Sequence, residues 1–191
     1  MLIRELSPDE APLVARFYAD APDYWLLAEG ACDPDRQAQE FFTDCPPGCD
    51  PAQSHRLGLF LRSAPTSDNP QASGVSPRPR GEGRGVGGTG RKELRLSGVA
   101  ELSYGFPEPD DAYLGLMLLG PWAQGAGHGA VFLAHAETLA RSRNAPRLYL
   151  AVLDANPRGR AFWLREGFTG TGRRGQDSTT GHWLERLVKP L

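Results

Sequence analysis

Residues 113–139 read YLGLMLLGPWAQGAGHGAVFLAHAETL, and they hold a strand, a glycine turn and a helix in immediate succession. The first part, Tyr113–Leu119, is an apolar run of strand length, and Gly120-Pro121 stops it. After Trp122-Ala123 comes Gln124-Gly125-Ala126-Gly127-His128-Gly129. A helical pattern starts at Ala126 or Gly127 and runs to Arg143. It is apolar almost all round, which predicts a well-buried helix. Glycines at this place keep side chains out of the way of a ligand approaching the backbone. The first N–H groups of the helix have no partner within it, and its dipole favours an anion. Strand, glycine turn and helix together predict a phosphate site, most simply for a diphosphate. The same glycines would also suit a turn that only lets helix and strand pack closely.

Two familiar phosphate loops fit poorly. A Walker loop needs Lys-Ser/Thr after the last glycine, and Ala130-Val131 stand there. A dinucleotide fingerprint is matched formally by Gly125, Gly127 and Ala130. That fingerprint begins at the strand end, however, and Pro121 to Gln124 intervene here. It would make the chain a dinucleotide-binding oxidoreductase.

Working outward, Leu2–Leu6 reads as a strand. Ser7 then caps a helix, with Pro8 at its first position and Glu10 closing the cap. Leu13, Val14, Phe17 and Tyr18 give that helix an apolar face. Asp35–Thr43 is a second helix. Arg56–Arg62 and Leu94–Tyr104 are strands that precede Tyr113–Leu119, and Arg147–Leu153 is the strand after the long helix. Pro157–Glu166 is a helix capped by Asn156 and stopped by Gly167. Phe168–Arg173 and His182–Val188 form a closing hairpin. The predicted order is βααβββαβαββ, an α/β fold with one central sheet.

Composition narrows the class. The chain has 191 residues, enough for one domain with a real core, so residues 1–191 read as a single domain. No apolar run is long enough to span a membrane, and the N-terminus lacks a signal-peptide core. Three cysteines do not make a disulfide scaffold, so a cytoplasmic location is expected. A net charge of −2 argues against a dedicated nucleic-acid binder. Residues 63–93 carry seven glycines and four prolines, and Val75 and Val86 are their only large aliphatics. Such a stretch cannot offset its own ordering entropy, and it is expected to be a disordered loop insertion. Its Arg-Gly tract, residues 78–85, has no interleaved aromatic residue and reads as solvated linker rather than an RNA contact.

The glycine segment resembles motif A of the GNAT superfamily of acyltransferases, Gln/Arg-x-x-Gly-x-Gly/Ala. Gln124, Gly127 and Gly129 stand at its positions, and Pro121 matches the proline common before it. NPRGRAFWLREGF, residues 156–168, resembles motif B through Asn156, Ala161, Phe162, Gly167 and Phe168. The resemblance is strong from about Leu94 to the C-terminus and diffuse before it. It implies a GNAT fold: a mixed, twisted central sheet, flanked by helices, in which two neighbouring parallel strands splay apart. The matching strands are Tyr113–Leu119 and Arg147–Leu153.

The resemblance further implies acetyl-CoA as co-substrate and a primary amine, on a small molecule or peptide, as acceptor. Backbone groups of Met117, Leu118 and Leu119 would contact the pantetheine arm. Those of Gln124, Gly125, Ala126, Gly127, His128 and Gly129 would hold the diphosphate. Asn156 matches an asparagine that reaches the cofactor arm. Dimers are common among such proteins, so the resemblance allows a homodimer. The amine must lose a proton before it attacks the thioester, and the developing oxyanion needs an N–H donor near Leu118 or Leu119.

Two positions depart from the pattern. The motif B tyrosine that could protonate the leaving thiolate is Trp163 here, and indole N–H is no proton source. Trp163 is expected to pack on Phe168 across the Gly167 stop. Tyr149, Tyr113 and His182, or solvent, are the remaining acids. Histone-type members carry a glutamate at the position of Tyr113. Glu101, set among apolar strand residues, is the best remaining base, with Asp111 and Asp154 weaker. These departures keep open a second reading, a GNAT domain that binds acyl-CoA without catalysis. Asp23, Tyr24 and Trp25 stand where such proteins often line the acceptor site. Cys45 and Cys49, with Cys32 and His55, have a weak zinc-like spacing and read as reduced thiols; no metal site is expected.

Overall fold

A computed structural model describes residues 1–62, 93–177 and 180–191. The expected insertion, apart from Glu93, lies outside the described residues. The chain runs β1 (Leu2–Glu5), α1 (Ala11–Asp20), α2 (Asp23–Glu29), α3 (Pro34–Thr43), β2 (His55–Arg62) and β3 (Leu94–Tyr104). It continues β4 (Ala112–Leu119), α4 (His128–Ser142), β5 (Arg147–Leu153), α5 (Pro157–Arg165), β6 (Thr169–Gln176) and β7 (Trp183–Pro190). The order is therefore βαααβββαβαββ, one helix more than predicted. That helix, α2, is only seven residues long, between Pro22 and a left-handed Gly30. Too few residues repeat for a helical period to show in the sequence.

The seven described strands form one sheet in the order β1-β2-β3-β4-β5-β7-β6. Alternation along the strands gives it two apolar faces. On one, Leu57, Leu102 and Leu148 pack with Phe132, Leu133 and Ala136 of α4. On the other, Phe60, Leu96 and Val99 meet Val14, Phe17 and Tyr18 of α1 and Phe41 of α3. Contrary to the prediction, α4 buries a stripe and not its whole surface: Val131 is 45% exposed, and the buried Glu137 is held by Lys189 at 2.5 Å and Arg141 at 3.2 Å. The outer side of α4 carries Val131, Ala134, Thr138 and Arg141, all exposed, of which Thr138 and Arg141 are polar.

Among the described strands the one parallel pairing is between β4 and β5, and it is short. Only Ala112↔Leu148 and Tyr113↔Tyr149 are in register, after which the strands separate. Each strand is held on its outer side: β4 pairs with β3 up to Leu119, and β5 pairs with β7 from Arg147 to Leu153. The gap is thus a property of a fixed sheet and not a frayed edge. Asp111, immediately before β4, is wholly buried and accepts two bonds from Arg147, the first residue of β5, at 2.8 and 3.1 Å. A bidentate charged pair fixes both strand starts at the vertex.

The turn after α5 has the predicted ending. Gly167 is left-handed, Phe168 N–H donates to Trp163 C=O at 3.1 Å, and Gly167 N–H to Leu164 C=O at 3.2 Å. The Trp163 and Phe168 rings pack edge-on, centroids 5.5 Å apart. This is the double hydrogen bond and apolar contact of a Schellman ending.

The vertex pair is asymmetric, because Asp111 is sealed in while the Arg147 side chain is 43% exposed. Arg147→Ala strands a buried carboxylate, whereas Asp111→Ala leaves a guanidinium that can turn into water. Urea unfolding should therefore show the larger loss of midpoint for Arg147→Ala.

Candidate active site

The splayed strands bound a cleft of about 940 Å³. Leu114–Leu119 of β4 form one wall and Leu150–Leu153 of β5 the other. Beyond Tyr113, β4 has no strand partner on this side among the described residues, so its backbone groups are available to an extended ligand. Met117, Leu118 and Leu119 are half-buried along this edge.

At the mouth of the cleft the glycine turn leads into α4. Gly125 and Gly127 have φ of +77° and +79°, where a side chain would be strained. Gly127 caps α4 without a side chain, so the N–H groups of His128, Gly129 and Ala130 have no partner in the helix. A Cβ at Gly129 would lie 3.2 Å from Phe162 and 3.3 Å from Leu119, so the backbone lies close to both. Gln124 Nε2 bonds Leu119 C=O at 3.0 Å, and the Arg158 guanidinium reaches Gln124 Oε1 at 3.4 Å. Uncapped N–H groups, a positive helix end and an arginine are what a diphosphate needs.

Gln124, Gly125, Gly127 and Gly129 line the cleft, and Ala126 and His128 lie outside its lining. Asn156 lines it too, with its Oδ1 engaged by Gly159 N–H at 2.8 Å as the cap of α5. Tyr113 and Tyr149 face each other across the last pair before the splay, one residue outside the lined walls. Burial pushes the Tyr113 phenol up to about 12. His182 also lies outside the lining. Asp111 and Asp154 are engaged elsewhere, by Arg147 and Arg174.

Glu101 is buried in the sheet and lines a second cleft of about 450 Å³. The two clefts share Tyr24, Gly115 and Leu116. The Glu101 carboxylate accepts from Arg56 Nη1 at 3.0 Å, from the Ser103 hydroxyl and from Gly115 N–H. Burial raises its pKa above the ordinary carboxylate value, and bonds from Ser103 and Arg56 offset part of that rise. Gly115 is the extra residue of a bulge, since Glu101 faces Leu116 and Leu102 faces Leu114. A Cβ there would overlap Glu101 Oε2.

Sequence reading missed three of these residues. Arg56 and Ser103 are nearly or wholly buried, and only the folded sheet brings them to Glu101. Gly115 carried a usable signal, because a glycine inside an apolar strand marks a bulge or close approach. Of the expected acceptor residues, Asp23 and Tyr24 line the main cleft, and Tyr24 and Trp25 the second. Among the described residues no His, Cys, Asp and Glu cluster could hold a metal ion, and Cys32, Cys45 and Cys49 are free.

The sequence pattern of the Acetyltransferase (GNAT) family matches residues 60–168, more than half of the chain. The chain belongs to that family. Among solved structures, this GNAT chain is similar to an acetyltransferase from Thermus thermophilus, at 25% identity and TM-score 0.62, covering 100% of this chain and 98% of that one. It also shares its fold with a GCN5-related N-acetyltransferase from Kribbella flavida (16% identity, 100% and 97% coverage, TM-score 0.58). A third is the ribosomal-protein-S18-alanine N-acetyltransferase from Escherichia coli (14%, 99% and 92%, 0.58). No curated protein sequence matches. No helix among the described residues is long and apolar enough to cross a membrane.

The overlap at Gly115 predicts a coupled pair. Gly115→Ala should cost about 1–3 kcal/mol of unfolding free energy, the range for overpacking. In a Glu101→Ala background the same change should cost clearly less, as a double-mutant cycle by denaturant unfolding would show.

Proposed function

We propose that this GNAT protein transfers an acetyl group from acetyl-CoA to a primary amine by direct attack on the thioester. The observation that carries the reading is the splay: two strand edges, each anchored on its far side, open onto one cleft that ends at an uncapped helix start. The residues present fit the donor. The N–H groups from Gln124 to Gly129, with Arg158, would hold the diphosphate. The free edge of β4 at Met117, Leu118 and Leu119 would pair with the pantetheine arm. A backbone N–H near Leu118 or Leu119 would meet the charge that develops on the thioester oxygen. The Nδ2 of Asn156 is left to face the arm.

The acceptor enters from the second cleft and meets the thioester at the shared wall of Tyr24, Gly115 and Leu116. Glu101 takes the ammonium proton, directly or through a water. A raised pKa brings its basicity closer to neutral pH, where a general base is most effective. Tyr24, Tyr113 and Tyr149 are the phenols near this path, and burial raises the pKa of both Tyr24 and Tyr113. Tyr24 and Tyr113 hold their protons at neutral pH and offer hydrogen bonds to the departing sulfur.

Thermal unfolding tests the donor. Acetyl-CoA at 100 times its Kd should add about 2.7 kcal/mol, a rise of roughly 5–11 °C in midpoint. NADH should give none. No rise with acetyl-CoA would reduce the glycine turn to a packing device.

The pH profile tests the base. Glu101 acts only when ionised, so activity should fall as pH drops through its raised pKa. Glu101→Gln should lower kcat/KM by roughly 10²–10⁴, the usual worth of a general base, and remove that acid limb. Unchanged turnover across pH would remove Glu101 from the mechanism. Acetyl-CoA binding without thiol release, with any amine tried, would favour a non-catalytic acyl-CoA sensor.

A further inference from the structure

The turn between β4 and α4 is anchored at its two ends and loose in the middle. Among the described residues, nothing beyond its chain neighbours would lie within 4 Å of a Cβ at Gly125 or Gly127, so packing does not fix those positions. Gly129 fixes the far end against Leu119 and Phe162. The near end is a single turn of 3-10 helix, Pro121–Ala123, and Trp122 stands at its centre. Pro121 and Gln124 line the main cleft, while Trp122 lies outside its lining.

The Trp122 side chain is held by β3 and α1 together. Its Nε1–H donates to Ser97 Oγ at 3.0 Å, and that hydroxyl donates in turn to Arg95 C=O at 2.9 Å. The Arg95 guanidinium lies 3.5 Å from the centroid of the indole ring, a close cation–π contact. Phe17 of α1 meets the ring edge to face, with centroids 6.0 Å apart. Arg95 also pairs with Asp20, the last residue of α1, at 2.8 Å. A Cβ at Gly120 would lie 2.5–2.7 Å from three carbons of the indole, so the ring closes directly over that backbone. Gly120 N–H donates to Ser97 C=O at 2.9 Å. At 37% exposure Trp122 is no core residue, yet its N–H and its ring are both engaged. A glycine-rich turn loses much chain entropy on ordering, and a ligand that must order it binds less tightly. A side chain that pins one end of the turn in the free protein removes part of that cost.

We infer that Trp122 is a positioning residue for the acyl donor: clamped to β3 and α1, it holds the start of the glycine turn where the N–H groups of Gln124 to Gly129 meet the diphosphate. This rests on the acetyl-CoA reading above. Trp122 does not touch the donor; Pro121 before it and Gln124 after it carry its effect to the cleft.

Calorimetric titration separates this role from a general structural one, with acetyl-CoA and S-acetylpantetheine as probes. The second has the arm and the thioester but no phosphate. Trp122→Ala should weaken acetyl-CoA about tenfold and leave S-acetylpantetheine within about twofold. Arg95→Ala removes the cation over the ring and leaves the turn's own residues in place; it should weaken acetyl-CoA in the same sense. Trp122→Phe keeps a ring against Arg95 and should recover most of the loss. In the unliganded protein, amide hydrogen exchange of residues 121–127 should quicken in Trp122→Ala, while β5 and α5 keep wild-type rates. That readout decides where S-acetylpantetheine binds too weakly to measure. Thermal midpoints identify the variants that fold, and where Trp122→Ala does not, Arg95→Ala carries the test. Unchanged acetyl-CoA affinity in the folded variants overturns the inference, and so does an equal loss for both probes. Wild-type protein that fails to bind acetyl-CoA overturns the donor reading, and this inference with it.

Discussion

The carboxylate of Asp111 and the guanidinium of Arg147 meet where β4 and β5 begin, and the shape of the cleft follows from that contact. Two registered residue pairs complete the vertex. Beyond it no ladder pair joins the two strands, and each follows its outer neighbour, β3 or β7. Sheet twist carries those neighbours apart, so the gap widens along the strands. A sheet normally spends backbone groups on its ladder. Here a row of them is held open along a rigid edge, which is preorganisation for an extended ligand.

The glycine turn completes that edge because of where it sits. It follows β4 directly and starts α4 at the wide end of the gap. Close packing of Gly129 against Leu119 and Phe162 ties the helix start to β4 and α5 together. The Schellman ending of α5 in turn anchors that helix through Trp163 and Phe168 to the same core that holds α4. The two strand walls are thus held by packing on their outer sides, and the glycine turn closes one end of the cleft between them.

Buried charge in the middle of the sheet is the second constraint. Glu101 and Arg56 sit on adjacent strands with both side chains below 10% exposure. Burying such a pair gains little stability compared with apolar residues of like size. What it does locally is clear from the bulge: the Glu101 carboxylate fills the space over Gly115 and takes its N–H. The bulge falls where the two clefts meet, so one buried group shapes the wall that both share.

Much of this was legible in the chain. The strand, glycine turn and helix of residues 113–139, and the Asn156 cap and Gly167 stop of the next helix, are local devices. They depend on backbone conformation within a few residues, which sequence states directly. The central strand was readable as an apolar run closed by turn residues, while the short α2 was not, because seven residues show no period. The partners of Glu101 were out of reach for another reason: Arg56 lies 45 positions away, and only strand register brings it near. Asp111 looked like a candidate base until the fold put Arg147 against it. The second cleft likewise exists only because α1, α2 and α3 lay Tyr18, Trp25 and Glu40 over β3 and β4. Every element but α2, with the glycine turn and the family resemblance, was fixed locally in the chain, since these reside in short-range sterics and spacing. Tertiary structure alone decided which charges meet, where the strands part and what faces the second cleft, because those depend on contacts between residues far apart in the chain.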